Sequence, residues 1–555
     1  MLKLVTKNKC ILLSFSVLYA FIFLLTFYPY ANDGPRGIHQ WAQSDRLALA
    51  LRYIDGNALT DAATLSLKTD DGRTGVEFSG YQYAIAQLVR VGIVPKAYLP
   101  FFYRISTFTL LFTSFFILVF SLLKKEKIIF RSFMLLGILS SPLLLYYSYN
   151  FLPDVLGLSL LLFCLYLFNK DFEKYLYLIL IVSGLSLLIK TSSGIYFISF
   201  MAIYFLRHWN LKNIKHIGIT IAAVLLTALT FLLYKNEALV PWALFMAIAF
   251  GIVYIATLLT VNNKKFTFST LIFILIGSFV AYYDIVHVSQ RNTLYYSFVF
   301  LSNTMEVKSL AEFFQIFDTA SRFKSQYFNG AQRLVIGVLF LIAMYRRKSI
   351  SLRNKNTQLA LLVGTGLLTI LLLFGVQFMN HDYYVIATFL PITLYFTLKG
   401  TAYICEYIHP RTSMVLASIF ALVSFSQGNN AYFNRMSEVV WINNYAEYYE
   451  RNWLIGAQEK VDKILPAEAS IMSVYSQEPN FVLVYLDRKG VTINLDEMQR
   501  AESPFTLYLN RLNMDYVICY SRFTDWFKRD QPIFISKAEV LYSDDKFTLY
   551  KSNGY

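Results

Sequence analysis

Apolar runs close to the length that crosses a bilayer recur along most of this chain, and they limit what it can fold into. In hydrocarbon every backbone N–H and C=O has to be satisfied within the segment, so a span is a helix of roughly 20 apolar residues across a core about 30 Å thick. Such runs lie near 10–30, 100–123, 130–148, 153–169, 175–189, 191–206, 216–234, 238–261, 267–286, 332–345, 358–377, 383–408 and 412–426. They predict an all-α polytopic membrane region, 1–426, with about thirteen transmembrane helices. Composition agrees: 56% of residues are hydrophobic and 15% charged, where a soluble chain carries about a quarter charged.

The remaining charges follow a pattern. Lys3, Lys7 and Lys9, then Lys124, Lys125, Lys127 and Arg131, then Lys170 and Lys174, Arg207, Lys212 and Lys215, Lys264 and Lys265, the basic residues of 346–355, and Arg411 fall at every second connection. The positive-inside rule then predicts a cytoplasmic N-terminus and an extracytoplasmic C-terminal segment. The net charge of +15 belongs to these short loops and not to a nucleic-acid-binding face. The first run lacks a small-x-small cleavage pattern and is read as a retained signal anchor. Cys10, Cys164, Cys405 and Cys519 lie too far apart in sequence to suggest a disulfide framework or a zinc motif.

This topology sends every chemically suggestive segment to the outer face. They are the first outer loop, 31–97, opening with His39-Gln40-Trp41-Ala42-Gln43-Ser44-Asp45; the turn at 147–154; the break at 190–193; the loop at about 287–331; and 377–384. In the first loop an amphipathic helix is expected over 46–54, capped by Ser44 or Asp45 and stopped by Gly56, and a second over 81–91 behind Glu77. As surface helices they would hold both acids near the headgroups. Each candidate has a plain alternative. Asp45 could be only a cap, and Asp154 only a helix-start residue favoured by the dipole. Lys190 and Arg104 could snorkel, while His381, Tyr383 and Tyr384 could belong to an interfacial aromatic belt.

The ordered set HQWAQSD, EFSGYQY, the FLPD turn, IKTSSGIYF and NHDYY ahead of a Pro-containing helix resembles the bacterial C-type (GT-C) glycosyltransferases. Within them it is most similar to the group of protein O-mannosyltransferases and the aminoarabinose transferase of lipid A. The resemblance implies a many-helix fold in the inner (plasma) membrane, an essential acid in the first outer loop and a sugar donor carried on a polyprenyl phosphate. Asp45 matches the first-loop acid and Glu77 the acid of the EF element. His39 and Trp41 match the HQW opening, and His381, Asp382 and Tyr383 the HDYY element. Where such proteins often read EFP, Ser79 stands here, which is expected to loosen the turn after Glu77.

Sugar transfer from a lipid phosphate to a hydroxyl calls for the same residue types. A carboxylate takes the acceptor proton, and cations hold the departing phosphate, where negative charge grows. Asp45, with Glu77 behind it, is the catalytic candidate. Lys190, Arg104, His381 and Tyr383 are candidates for the donor phosphate, and His39, Trp41, Asp154 and Asp382 for substrate contacts. No HExxH or tight DxD cluster is present, so no metal is favoured. The acceptor hydroxyl is left open among lipid, glycan and protein. A transporter or flippase of lipid-linked saccharides is the rival class, but transporters place their charges near the midplane of repeated halves, and here they gather at one surface.

Beyond about 427 the polar residues rise and no run approaches membrane length. Residues 427–555 read as a soluble α/β domain, with strands at 471–475, 481–485, 491–493, 516–520 and within 540–550, and helices near 438–463 and 496–512.

Overall fold

The computed structural model describes residues 2–208, 264–295, 307–322, 324–345, 351–437, 451–476, 478–500, 504–512 and 514–553. The runs expected at 216–234 and 238–261, and the start of the helix expected near 438–463, lie outside them. The described chain is mostly helical. Its first nine α-helices are α1 Leu2–Ile22, α2 Gln40–Ile54, α3 Gly80–Arg90, α4 Leu99–Leu122, α5 Ile128–Leu139, α6 Pro142–Ser148, α7 Asp154–Asp171, α8 Leu176–Ile189 and α9 Gly194–His208. Later long helices are Lys264–Ala281, Gly330–Tyr345, Lys355–Asn380, Phe389–Cys405 and Pro410–Met436.

Among the described residues three helical stretches are long and apolar enough to cross a membrane: Asn8–Tyr30, Lys96–Leu122 and Lys355–Phe378. A fourth counts if α5 and α6 form one bent span, so a count of thirteen is not established. The single helix expected over 130–148 is broken by an 86° bend. Pro142 has no N–H to continue the ladder, and the Ser141 side chain caps the new helix by accepting from the Leu144 N–H. The last apolar helix also overruns the expected boundary at 426, continuing to Met436.

One apolar core joins α1, α4 to α9 and the later long helices. Lipid tails are as apolar as leucine, so close packing and buried hydrogen bonds hold such helices together. Asn329 donates to the carbonyls of Ser140 and Ser424 at 3.2 and 3.1 Å, and Gln332 to that of Gly137 at 2.8 Å. Gly428 lets the last long helix approach so closely that a Cβ there would lie 2.0 Å from the Ser140 carbonyl oxygen.

The C-terminal residues form a five-stranded sheet in the order β2-β1-β3-β5-β4, with β1 Ile471–Val474, β2 Gly490–Ile493, β3 Tyr516–Tyr520, β4 Glu539–Ser543 and β5 Phe547–Lys551. Strands β2, β1 and β3 run parallel, and β5 and β4 antiparallel. One expected strand is a helix, Phe481–Leu486. A six-residue apolar run fits a buried strand or a buried helix equally well by pattern. Here it lies between β1 and β2, whose parallel pairing demands a crossover that a helix supplies.

The two regions are joined by backbone pairing. Leu67 N–H donates to the Gly490 carbonyl at 2.7 Å and Gly490 N–H to the Leu65 carbonyl at 3.0 Å, so the first loop extends the sheet beyond β2. Ion pairs Lys68–Glu497, Lys489–Asp71, Lys96–Asp487 and Arg451–Asp33 reinforce the junction.

Candidate active site

The HQWAQSD segment builds the entrance to α2. His39 holds a left-handed backbone, φ 57° and ψ 36°, a conformation uncommon outside glycine. The chain there is fixed by Gln43, whose amide donates to the carbonyls of Arg36 and Ile38 at 2.8 and 3.1 Å. Gly37 precedes it at φ 75°, where a Cβ would lie 2.6 Å from the Arg435 carbonyl oxygen.

Asp45 is therefore not the helix cap expected from sequence. It lies inside α2, one turn past the start, and is 3% exposed. Nor does α2 lie on a bilayer surface: α3 and the helix Phe481–Leu486 pack on it and bury most of its residues. Removal from water raises the Asp45 carboxyl to about 7, with a hydrogen bond from Asn480 and the charge of Arg46 pulling the other way.

From its neighbour Arg46, two cations and two acids form a chain of ion pairs. Arg46 contacts Glu77 at 2.7 Å; Lys190 contacts Glu77 at 3.3 Å and Asp154 at 3.4 Å. Lys190 sits in extended backbone at the break between α8 and α9, and Asp154 opens α7, so helix ends aim both groups inward. Burial acts to raise Glu77, but Lys190 and Arg46 outweigh it and hold the carboxyl below its ordinary value. The turn after Glu77 is not loosened by Ser79: that side chain is buried and its hydroxyl meets the Tyr53 hydroxyl at 2.5 Å.

A second cluster adjoins the first through aromatic rings. Asp382 is contacted by Arg435 at 2.7 Å and His39 at 3.4 Å, and accepts from the Tyr147 hydroxyl at 2.5 Å. His381 stacks on His39 with ring centres 5.6 Å apart, and Trp41 meets it edge-on at 5.7 Å. Tyr383 stands 5.1 Å from His39, and the Lys190 ammonium lies over the rings of Tyr384 and Tyr383 at 4.8 and 5.8 Å. Eight of the ten sequence-derived residues are thus gathered at one place, where the start of α2, the breaks at Lys190 and His381 and the start of α7 converge; Asp45 adjoins them through its chain neighbour Arg46, while its own carboxylate meets Asn480.

Arg104 stands apart. Its guanidinium donates to the carbonyls of Tyr30 and Gly34 at 3.0 and 2.9 Å and lies 4.5 Å from the Phe151 ring centre. It secures the chain leaving α1, and none of these contacts belongs to the Lys190 cluster. Residues not foreseen are Arg46, Tyr147, Arg435 and Asn480. Arg46 adjoins Asp45 in the motif and was within reach of sequence reasoning; Asn480 belongs to the other domain, and no local pattern marks it. Among the described residues no three His, Cys, Asp or Glu side chains are grouped to hold a metal ion.

No family model and no curated protein sequence matches this chain. Solved structures do. ArnT from Cupriavidus metallidurans in the apo state aligns with a TM-score of 0.53 at 10% identity, over 97% of each chain. The archaeal oligosaccharyltransferase AglB from Archaeoglobus fulgidus, in complex with an inhibitory peptide and a dolichol-phosphate, aligns with a TM-score of 0.49 at 10% identity, over 95% of this chain and 71% of that one. These proteins are GT-C glycosyltransferases.

Proposed function

From the GT-C fold it shares with ArnT, we propose that this chain is an integral membrane glycosyltransferase. In this reading it moves a sugar from a polyprenyl-phosphate donor to an acceptor hydroxyl at the outer face of the inner membrane, with inversion. A fold hosts many chemistries, and the site selects among them. The observation that carries it is a buried carboxyl, Asp45, pushed up to about 7 by burial, whose helix neighbour Arg46 opens a chain of ion pairs through Glu77 to Lys190.

In a single displacement the acceptor oxygen bonds to the anomeric carbon as the bond from that carbon to the phosphate oxygen breaks. The acceptor proton passes to Asp45, and the bonding pair leaves with the lipid phosphate. A base near pKa 7 is matched to that transfer at neutral pH. Lys190 faces the departing phosphate: its contacts of 3.3 and 3.4 Å are looser than the 2.7 Å Arg46–Glu77 bond, so a phosphate replaces Glu77 on Lys190 while Arg46 retains Glu77. Asp154 keeps Lys190 charged. The rings of Tyr383, Tyr384 and Trp41 supply flat apolar walls for a sugar, and Asp382 orients His39.

The test is transfer from lipid-linked sugars extracted from the host membrane, with the product's anomeric configuration read by NMR. Inverted product supports the reading; retained configuration refutes single displacement. Mass spectrometry of envelope glycans from a deletion strain identifies the sugar and the acceptor.

A further inference from the structure

Asn480 stands at the start of the helix Phe481–Leu486 in the C-terminal domain and is fully buried. Asparagine at that position ordinarily accepts a hydrogen bond from the first turn of its own helix. Here it makes no such cap. Its Oδ1 accepts from the Ser66 N–H at 3.1 Å, and its Nδ2 donates to Asp45 Oδ1 at 2.8 Å. The Ser66 N–H can only donate, so it fixes which end of the amide faces Asp45. Ser66 is itself held by the backbone pairing of Leu65 and Leu67 with Gly490.

Resting on the reading of Asp45 as general base, we infer that Asn480 is a positioning residue for the transfer. The soluble domain reaches into the membrane-side site and holds one oxygen of the base, leaving the other to face the acceptor hydroxyl. A donor on the carboxylate also favours its charged form, countering the burial that the same domain imposes. The surrounding charges are otherwise committed. Arg46, on Asp45's own helix, is bound to Glu77, which is bound in turn to Lys190. Arg52 of α2 is bound to Asp71 and Asp487 of the covering helix to Lys96; Arg90, in the last turn of α3, ends that helix. Glu478, two residues before Asn480, is also buried.

The experiment uses the full chain in lipid nanodiscs with lipid-linked sugars extracted from the host membrane, and follows turnover against pH. Asn480→Asp keeps the acceptor for Ser66 and replaces the donor facing Asp45 by an acid. Asn480→Ala removes both bonds. Losing a hydrogen bond to a charged group raises the carboxyl by about one pH unit. The acid limb of the profile should therefore move up by about that much in Asn480→Ala and further in Asn480→Asp, with turnover at pH 7 down roughly fivefold and recovering by pH 9. A purely structural contact would lower turnover at every pH and leave the limb in place, which would overturn the inference. If Asp45→Asn stays active, the reading of Asp45 as base fails and the inference with it. If Asp45→Asn is inactive and neither Asn480 variant moves the limb, the inference alone is overturned.

Discussion

Asp45→Asn has two consequences of opposite sign. A carboxyl that titrates at about 7 where an exposed one titrates at 3.8 carries a charge the fold disfavours. At 1.36 kcal/mol per pH unit, ionised Asp45 costs the folded state roughly 4 kcal/mol. The sign follows from proton counting. Between the unfolded and folded pKa values the folded chain holds a proton that the unfolded chain has lost, so stability falls as pH rises from about 4 and levels off above about 7. Asparagine has nearly the same shape, its carbonyl still accepts from Asn480, and it cannot ionise. The variant should therefore melt above the wild type at pH 8, and the gap should close toward pH 4. General-base catalysis is worth about 10²–10⁴-fold, so turnover should fall by that factor with donor binding retained. Thermal melts in nanodiscs at the two pH values, paired with turnover assays, read both effects. Near-normal turnover would pass the base role to Glu77. A variant destabilised at pH 8 would refute the argument that burial of charge sets the Asp45 pKa.

Wild-type turnover should itself rise with pH through about 7 as Asp45 ionises, and a profile flat from pH 5 to 8 would contradict this. Lys190→Ala leaves Asp154 buried without its cation, and should weaken donor binding and destabilise the protein by about 3–5 kcal/mol; isothermal titration with polyprenyl phosphate and thermal melts check it. Arg104→Ala removes the anchor on Tyr30 and Gly34 and should lower stability by about 1–3 kcal/mol while leaving donor affinity unchanged, since its contacts lie outside the Lys190 cluster. Cysteines placed at Asp70 and Lys125, whose side chains are 64% and 75% exposed, should label from opposite sides of the membrane; labelling from one side would break the topology read from the basic residues.

Much of this was readable in the sequence because the signals are local. Runs of bilayer length enforce helices, since hydrocarbon offers the backbone no other partner. Pro153 and Asp154 mark the start of α7. The residue types of the HQWAQSD, EF and HDYY elements announce a charged site, and Glu77, Asp154 and Lys190 do converge, as do His39 and Asp382, with Asp45 next to Arg46 at their edge. Length and periodicity fixed the two first-loop helices to within a few residues at most ends. What sequence could not supply was what each helix packs against. The pattern of α2 reads as a surface helix because half its face is polar; it is buried because a domain some 430 residues away in sequence closes over it and satisfies Asp45 with Asn480. Arg104 reads as a membrane cation awaiting a phosphate, but two backbone carbonyls and an aromatic ring occupy it. The run 481–485 reads as a strand, and the need to cross between parallel β1 and β2 makes it a helix. Covalent spacing and residue chemistry determine which groups are present and which helices carry them. Which charges are neutralised, and how strong a base Asp45 is, depend on partners brought together only by the tertiary fold, because desolvation and Coulomb forces act over a few ångströms of space, whatever the separation along the chain.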